Sequence, residues 1–428
     1  MASRFVPLDC EVDEFIEKQA NQNTLSKTKR DLALFQEYLK ARQVEKEVET
    51  IEPTELNELV SAFLVEVKKK DGQDYEPTTL RSFVSSIDRH LRKKDYPTTI
   101  IEGHEFRKAR DTMVAKQKEL KKAGKGNKPN AAKNLTDNEV DILFSKDLLG
   151  CATPESLINT LWLNNTQYFG LRGCKEHRDM KWGDIKLQTS VDGTEYLEYN
   201  ERQTKTRTGA DPRDTRKVKP KMFAVVGSER DPVRFFHIYA SKRPTGYLTD
   251  DSPFYLSINQ ITNPQSSKAW FKTTPMGVNK LNSIMKTMAE KAQLNSSNLT
   301  NHSARKRLVQ KLNDKEVPPT HIMQISGHKN VQSLNNYSSL SHNQQRRISD
   351  ILSTNSTGNS GIEVSSEVNC SSTSTSSNRQ PFGLFSGANI QGGTFNIAIN
   401  TVNQSPDLSS LHTQTRKRRY AILESDSE

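Results

Sequence analysis

The chain has 428 residues, a net charge of +11, a hydrophobic fraction of 33% and a mean hydropathy of -0.77. That length suits roughly two or three domains, but the apolar content is too low for all of it to pack, so part of the chain is expected to be disordered. No run approaches the roughly 18 apolar residues of a membrane span, the opening MASRFVPLDCEVDEF is too acidic for a secretory signal, and Cys10, Cys151, Cys174 and Cys370 lack the spacing of a zinc site or a disulfide framework; an intracellular chain is expected.

In chain order, residues 1–21 read as an N-terminal arm and 22–122 as a helical domain. Leu32, Phe35 and Leu39 form a first stripe. Leu56, Leu59, Val60 and Phe63 follow Pro53-Thr54 at helical spacing, and Leu80, Phe83, Val84, Ile87 and Leu91 repeat the pattern after Pro77-Thr78. Helices that each bury one face pack as a bundle. The other face of the third carries Arg81, Arg89, Arg92 and Lys93, either a phosphate-binding or a merely solvated surface. Next comes KQKELKKAGKGNKPNAAKN, residues 116–134, with seven lysines and one acid. Gly124, Gly126 and Pro129 break the helix, so 123–134 reads as a basic linker able to lie on phosphates. The candidate DNA contacts are Arg81, Arg89, Lys118, Lys121, Lys122 and Lys125.

Residues 135–352 read as a second domain. LTDNEVDILF restarts a helix, with Thr136 and Glu139 spaced as a capping box. EYLEY at 195–199 and KMFAVV at 221–226 read as strands, separated by the basic, turn-rich NERQTKTRTGADPRD. Helical patterns return at 277–292, 302–313 and 319–326. The fold class is therefore mainly α with a small antiparallel β-sheet. Residues 353–428, with STNSTGNSG and SSTSTSSNRQ, read as a disordered C-terminal tail. Its TRKRRY cluster (Arg416, Lys417, Arg418, Arg419) resembles a nuclear-import signal, so a nuclear location is expected. Beyond residue 350 there are five basic and six acidic residues, which leaves +12 on the first 350. A basic body of this kind points to a polyanionic partner, nucleic acid above all.

One stretch concentrates reactive side chains: NHSARKRLVQKLNDKEVPPTHIMQISGHKNVQSLNNY, with His302, Arg305, His328 and Tyr337. Upstream stand Arg172 in QYFGLRGCKEHRDMKWGDI and Lys205 in QTKTRTG. Two arginines can fork onto the oxygens of a phosphodiester. A tyrosine hydroxyl can attack its phosphorus, and His and Lys can move the protons. Trp182 reads as core, and His177 and His321 as surface or packing residues. Arg346 and Arg347 beside Ile348, Ile351 and Leu352 read as a C-terminal helix.

The order Arg172, Lys205, His302-x-x-Arg305, His328, Tyr337 resembles the tyrosine recombinase/integrase family, over about residues 22–352. FGLRG…EHRDMKWGDI and NHSARK…GHKNVQSLNNYS look most like its Crypton subgroup, eukaryotic DNA transposon recombinases and their domesticated relatives. The resemblance implies a helical SAM-like core-binding domain ahead of an α+β catalytic domain. It implies that Arg172 and Arg305 bind the scissile phosphate, that Lys205 is general acid, and that His302 is general base or relay. His328 would donate to the phosphate and Tyr337 would be the nucleophile of a 3′-phosphotyrosine. Arg202 and Arg207 share the hairpin with Lys205. Glu176 would orient Arg172, from four residues on instead of the three of bacterial members. No metal or other cofactor, no membrane and no small-molecule substrate are implied; the partners would be double-stranded DNA and further copies of the chain, as a dimer or tetramer. The alternatives are a domesticated, catalytically silent DNA-binding regulator and a type IB topoisomerase.

Overall fold

Prolines open the helices around the first core. The computed structural model describes residues 10–127, 131–259, 270–335, 337, 340 and 342–353. Pro129, the tail beyond 353 and its basic cluster lie outside the described residues. Helices α1 (Val12–Gln19) and α2 (Gln22–Ala41) are followed by α3 (Pro53–Glu66) and α4 (Pro77–Lys93). Pro53 and Pro77 occupy first-turn positions, where no helical hydrogen bond is lost. Then comes α5 (Arg107–Lys122). Phe35, Leu39, Leu56, Val60, Phe63, Phe83, Ile87 and Leu91 share one buried core with Leu120 of α5. The Phe63 ring meets those of Phe35 and Phe83 edge-on, at 5.1 and 5.6 Å between centroids.

One helix threads the second core. After α6 (Asp137–Ser145), whose Thr136–Glu139 capping box is formed, α7 (Pro154–Phe169) buries residues around its whole circumference, from Leu157 and Ile158 to Trp162 and Thr166. A helix apolar all round belongs inside a fold, and α7 packs against α9 (Pro232–Lys242), α11 (Asn301–Asp314) and α12 (Pro319–Ser326). The remaining helices are α8 (Gly173–Asp179), α10 (Val278–Lys291), α13 (Val331–Leu334) and α14 (His342–Ser353). Trp182 lies within this core, stacked 4.9 Å from the Phe236 ring.

Among the described residues the molecule is mainly helical with antiparallel strands, and these strands form two sheets. The first has the order β1 (Ile185–Thr189), β2 (Glu195–Tyr199), β3 (Lys221–Phe223), with buried Leu197 facing Met222. KMFAVV leaves the ladder after Phe223: the Ala224 N–H still reaches Glu195 O at 2.9 Å, and a turn through Gly227 follows. The second sheet pairs β4 (Leu256–Ile258) with β5 (Phe271–Pro275).

Candidate active site

Two helix ends create the site. Both α7 and α12 finish in a left-handed glycine, Gly170 at φ 69° and Gly327 at φ 73°. A side chain on Gly170 would stand 2.7 Å from Ile325 O and 2.9 Å from the Ser326 backbone, so glycine is required for the two ends to meet. Helix C-termini expose carbonyls without internal partners and carry partial negative charge. Here arginines satisfy them. Arg305 is 1% exposed; it donates from Nη1 to Gly170 O and from Nη2 to Ser326 O at 2.6 Å. Arg172 Nη2 donates to Gly327 O at 3.0 Å, and its Nη1 to Thr206 Oγ1 at 2.8 Å. Arg216 donates to Phe169 O at 2.9 Å, to Gln324 O at 3.0 Å and to Ile325 O.

Around the Arg305 guanidinium the other residues gather. His302 and Arg305 lie three apart on α11 and so share a face. Tyr337 follows α13 in a turn closed by its N–H to Leu334 O at 2.8 Å. Its ring is 4.8 Å from both the His302 and the His328 ring, and the Arg305 guanidinium carbon lies 5.9 Å from its centroid. Tyr337 is also a packing residue, 8% exposed among Val309, Ile322 and Leu334. His328 Nε2 lies 3.4 Å from Arg305 Nη2, which can only donate, so that nitrogen accepts. The proton therefore sits on Nδ1 and is given to Ser326 Oγ at 2.7 Å, whose own hydroxyl donates to Ile322 O at 2.5 Å.

Burial, followed by the charges of Arg305 and Arg172, pushes His328 down to about 2, so the imidazole is neutral. Burial and then Arg172 bring Arg305 down to about 10, with Tyr337 and Glu176 opposing; it keeps its charge near neutral pH. Glu176 accepts the Arg172 backbone N–H at 2.7 Å, while the Arg172 Nη1 is 4.0 Å from its other oxygen. At four residues' distance this carboxylate thus holds the main chain of Arg172 and only brushes its guanidinium. Burial raises it, against the pull of Arg172 and Arg305.

Lys205 is exposed on a turn closed by Thr204 N–H to Arg207 O at 2.9 Å, and the adjacent Thr206 touches Arg172. Arg202 and Arg207, on either side of Lys205 in the chain, make ion pairs. Arg202 pairs with Asp184 at 2.6 Å; Arg207 donates to Gly327 O at 3.2 Å and pairs with Glu201 at 3.4 Å. Arg216, Glu201, Thr206 and Ser326 escaped sequence reasoning, because a side chain that caps a distant carbonyl leaves no local pattern. His177 is a packing residue: it accepts from Tyr255 Oη at 2.9 Å and donates to Thr166 Oγ1 at 3.1 Å.

The residues singled out for DNA contact lie apart from these helix ends in the chain. Arg81 is exposed on α4, whereas Arg89 Nη1 donates to Thr28 Oγ1 of α2 at 2.6 Å. Lys118, Lys121 and Lys122 are exposed on α5, which takes up the first part of the lysine-rich stretch. Lys125, past the helix end, is half-buried and donates to Asp74 O at 3.0 Å.

Residues 135–290 match a family described as a domain of unknown function, DUF3504. The human uncharacterized protein KIAA1958 is 25% identical over 260 residues, 59% of this chain and 36% of that protein. Human zinc finger MYM-type protein 2 is 26% identical over 160 residues, 34% of this chain and 12% of that protein. The chain thus spans little more than a third of the first of these relatives. Among solved structures, the Tn1549 transposon integrase bound to transposon right-end DNA aligns with 80% of this chain and 98% of its own at 12% identity and a TM-score of 0.44.

Proposed function

We propose that the chain is a DNA strand transferase of the tyrosine recombinase kind, Crypton-like, acting in the nucleus and assembling with copies of itself on DNA. Residues 22–122 would grip the duplex, 123–134 would link, and 135–352 would carry the chemistry. One observation carries the reading. Arg172, His302, Arg305, His328 and Tyr337, spread over 166 positions from 172 to 337, gather around one buried guanidinium, with Tyr337 held 4.8 Å from two imidazoles.

In this reading the fork of Arg305 and the half-buried fork of Arg172 receive the non-bridging oxygens of the scissile phosphate and take up the charge of its transition state. The Tyr337 oxygen attacks phosphorus as His302 accepts the hydroxyl proton. The bond from phosphorus to the 5′ oxygen breaks, and Lys205 gives that oxygen its proton. The strand is left as a 3′-phosphotyrosine and a 5′ hydroxyl, and rejoining runs the same steps backward. For His328 to donate to the phosphate its proton must sit on Nε2. The Ser326 hydroxyl then turns from Ile322 O to donate to Nδ1.

The test is a pool of nicked duplexes of randomised sequence, in which the cleaved fragment diffuses away and traps the covalent species, read on a denaturing gel. The full chain is expected to form an adduct on Tyr337. Tyr337→Phe should abolish it while DNA affinity stays within about twofold, since only a hydroxyl is removed. Adduct formed by the Phe variant would disprove the nucleophile. DNA binding without adduct by the unaltered chain would leave a DNA-binding protein that does not cut, and relaxation of supercoils by monomers would identify a topoisomerase.

A further inference from the structure

The loop that carries Lys205 is fastened to the turn that carries His328. Glu201 stands between two arginines, with Arg207 Nη1 3.4 Å from one carboxylate oxygen and Arg216 Nη1 3.1 Å from the other. Arg207 reaches Gly327 O at 3.2 Å, and Arg216 reaches Gln324 O at 3.0 Å and Ile325 O. On the far side of the loop Asp214 pairs with Lys329, the residue after His328, and lies 3.6 Å from Arg207 Nε. Arg216 is buried, and burial lowers its proton affinity while Glu201 raises it.

Arg216 does more than neutralise one carboxylate, since it also caps three carbonyls. It joins the ends of two helices to the base of the Lys205 loop, and Glu201 holds both arginines that make the crossing.

We propose that Glu201, Arg207 and Arg216 form a strap that sets the Lys205 loop and the Gly327–Lys329 turn as one unit, so that the proton donor and the phosphate-facing imidazole arrive together. They are positioning residues, acting through Lys205 and His328. The proposal rests on the strand-transferase reading for its chemical consequence but not for the strap itself, and the experiment separates the two.

The full chain would be compared with Glu201→Gln, which keeps shape and loses charge, and with Arg216→Ala and Arg216→Lys. Hydrogen exchange reads the strap without any activity. In Glu201→Gln the amides of Thr204, Arg207 and Gly327 should lose protection together, by about tenfold or more, while those of α4 stay unchanged. Adduct formation on two substrates reads the consequence: an ordinary duplex, and one whose scissile 5′ oxygen is replaced by sulfur. A thiolate leaves without a proton, so the sulfur substrate bypasses the general acid. Arg216→Ala and Glu201→Gln should slow the ordinary substrate about 10- to 100-fold, the scale of a misplaced reacting group. On sulfur they should be slowed clearly less, by about tenfold or under, the part of the effect that runs through His328. Arg216→Lys should not rescue, because one ammonium cannot span the carbonyls that the fork spans.

Exchange that rises in 204–216 alone, with 324–329 still protected, would overturn the strap. Equal slowing on oxygen and sulfur would overturn its action through Lys205. If the unaltered chain forms no adduct but Glu201→Gln releases both segments together, the strap stands and the strand-transferase reading falls.

Discussion

His177 and His328 are both buried and neutral, for different reasons. His177 sits in a closed relay: Asn165 donates to Tyr255 Oη, Tyr255 to His177 Nδ1, His177 Nε2 to Thr166, and Thr166 to Trp162 O. A second ring proton would destroy the Tyr255 bond, and burial holds the group down at about 3. His328 is held at about 2, by burial first and two arginines next. The ordinary value for both is 6.5. In the unfolded chain each takes a proton below that pH, and in the folded chain each refuses it. Their contribution to stability is therefore whole above 6.5 and is lost as pH falls, down to about 3 for His177 and about 2 for His328. Each adds up to about 1.4 kcal/mol per pH unit to the slope on the acid side of 6.5. Urea unfolding between pH 6.5 and 5.5, above most carboxylate titrations, should show stability falling. His177→Asn should flatten that slope by the share of one proton. An unchanged slope would mean that His177 is already charged in the native protein.

At the scale of elements, the ends of α7 and α12 meet so closely at Gly170 that backbone faces backbone. Gly170→Ala combines a left-handed backbone, costing about 1–2 kcal/mol for an L-residue, with overlap against the backbone of Ile325 and Ser326. Gly72 has a similar φ of 77° and nothing within 4 Å, so Gly72→Ala measures the conformational part alone. Gly170→Ala should lower stability by at least about 1–2 kcal/mol more than Gly72→Ala, read by urea unfolding. Equal losses would mean that the helix ends can part freely. The same joint shows where sequence reading works and where it stops. The bundle helices were legible because Leu80, Phe83, Val84, Ile87 and Leu91 recur at the helical period, and α6 because its capping box is local. The order Arg172…Tyr337 was legible as a resemblance. The second sheet was not, because the three residues of β4 are too short to show alternation. Arg216 was not, because the carbonyls of Gln324 and Ile325 that it caps lie more than a hundred positions away.

Over the whole molecule, charge is laid out on two surfaces with different work in the proposed reading. In that reading Arg172 and Arg305, which cap helix-end carbonyls, also receive the single scissile phosphate, whereas Lys118, Lys121 and Lys122 stand exposed along α5 to meet phosphates along the duplex. Each phosphate neutralised releases condensed counterions, so log affinity falls by about 0.9 per contact for each decade of salt. Replacing Lys118, Lys121 and Lys122 by Gln should flatten the salt slope by about two to three units, to a similar degree for every DNA sequence. A slope equal to that of the unaltered chain would remove α5 from the DNA interface. The joint of α7 and α12 has a further consequence, for the order in which the chain acquires its structure. Arg305 binds Gly170 across 135 positions, and Arg172 binds Gly327 across 155. The bundle core around Phe63 is closed by segments much nearer in the chain. Closing long loops costs entropy before any contact rewards it, which slows the pairing of distant segments. Loop closure therefore predicts that the bundle forms first and the arginine-capped joint late. In the proposed reading, a nascent chain can hold a phosphate between Arg172 and Arg305 only once α12 has been made and has docked onto the end of α7.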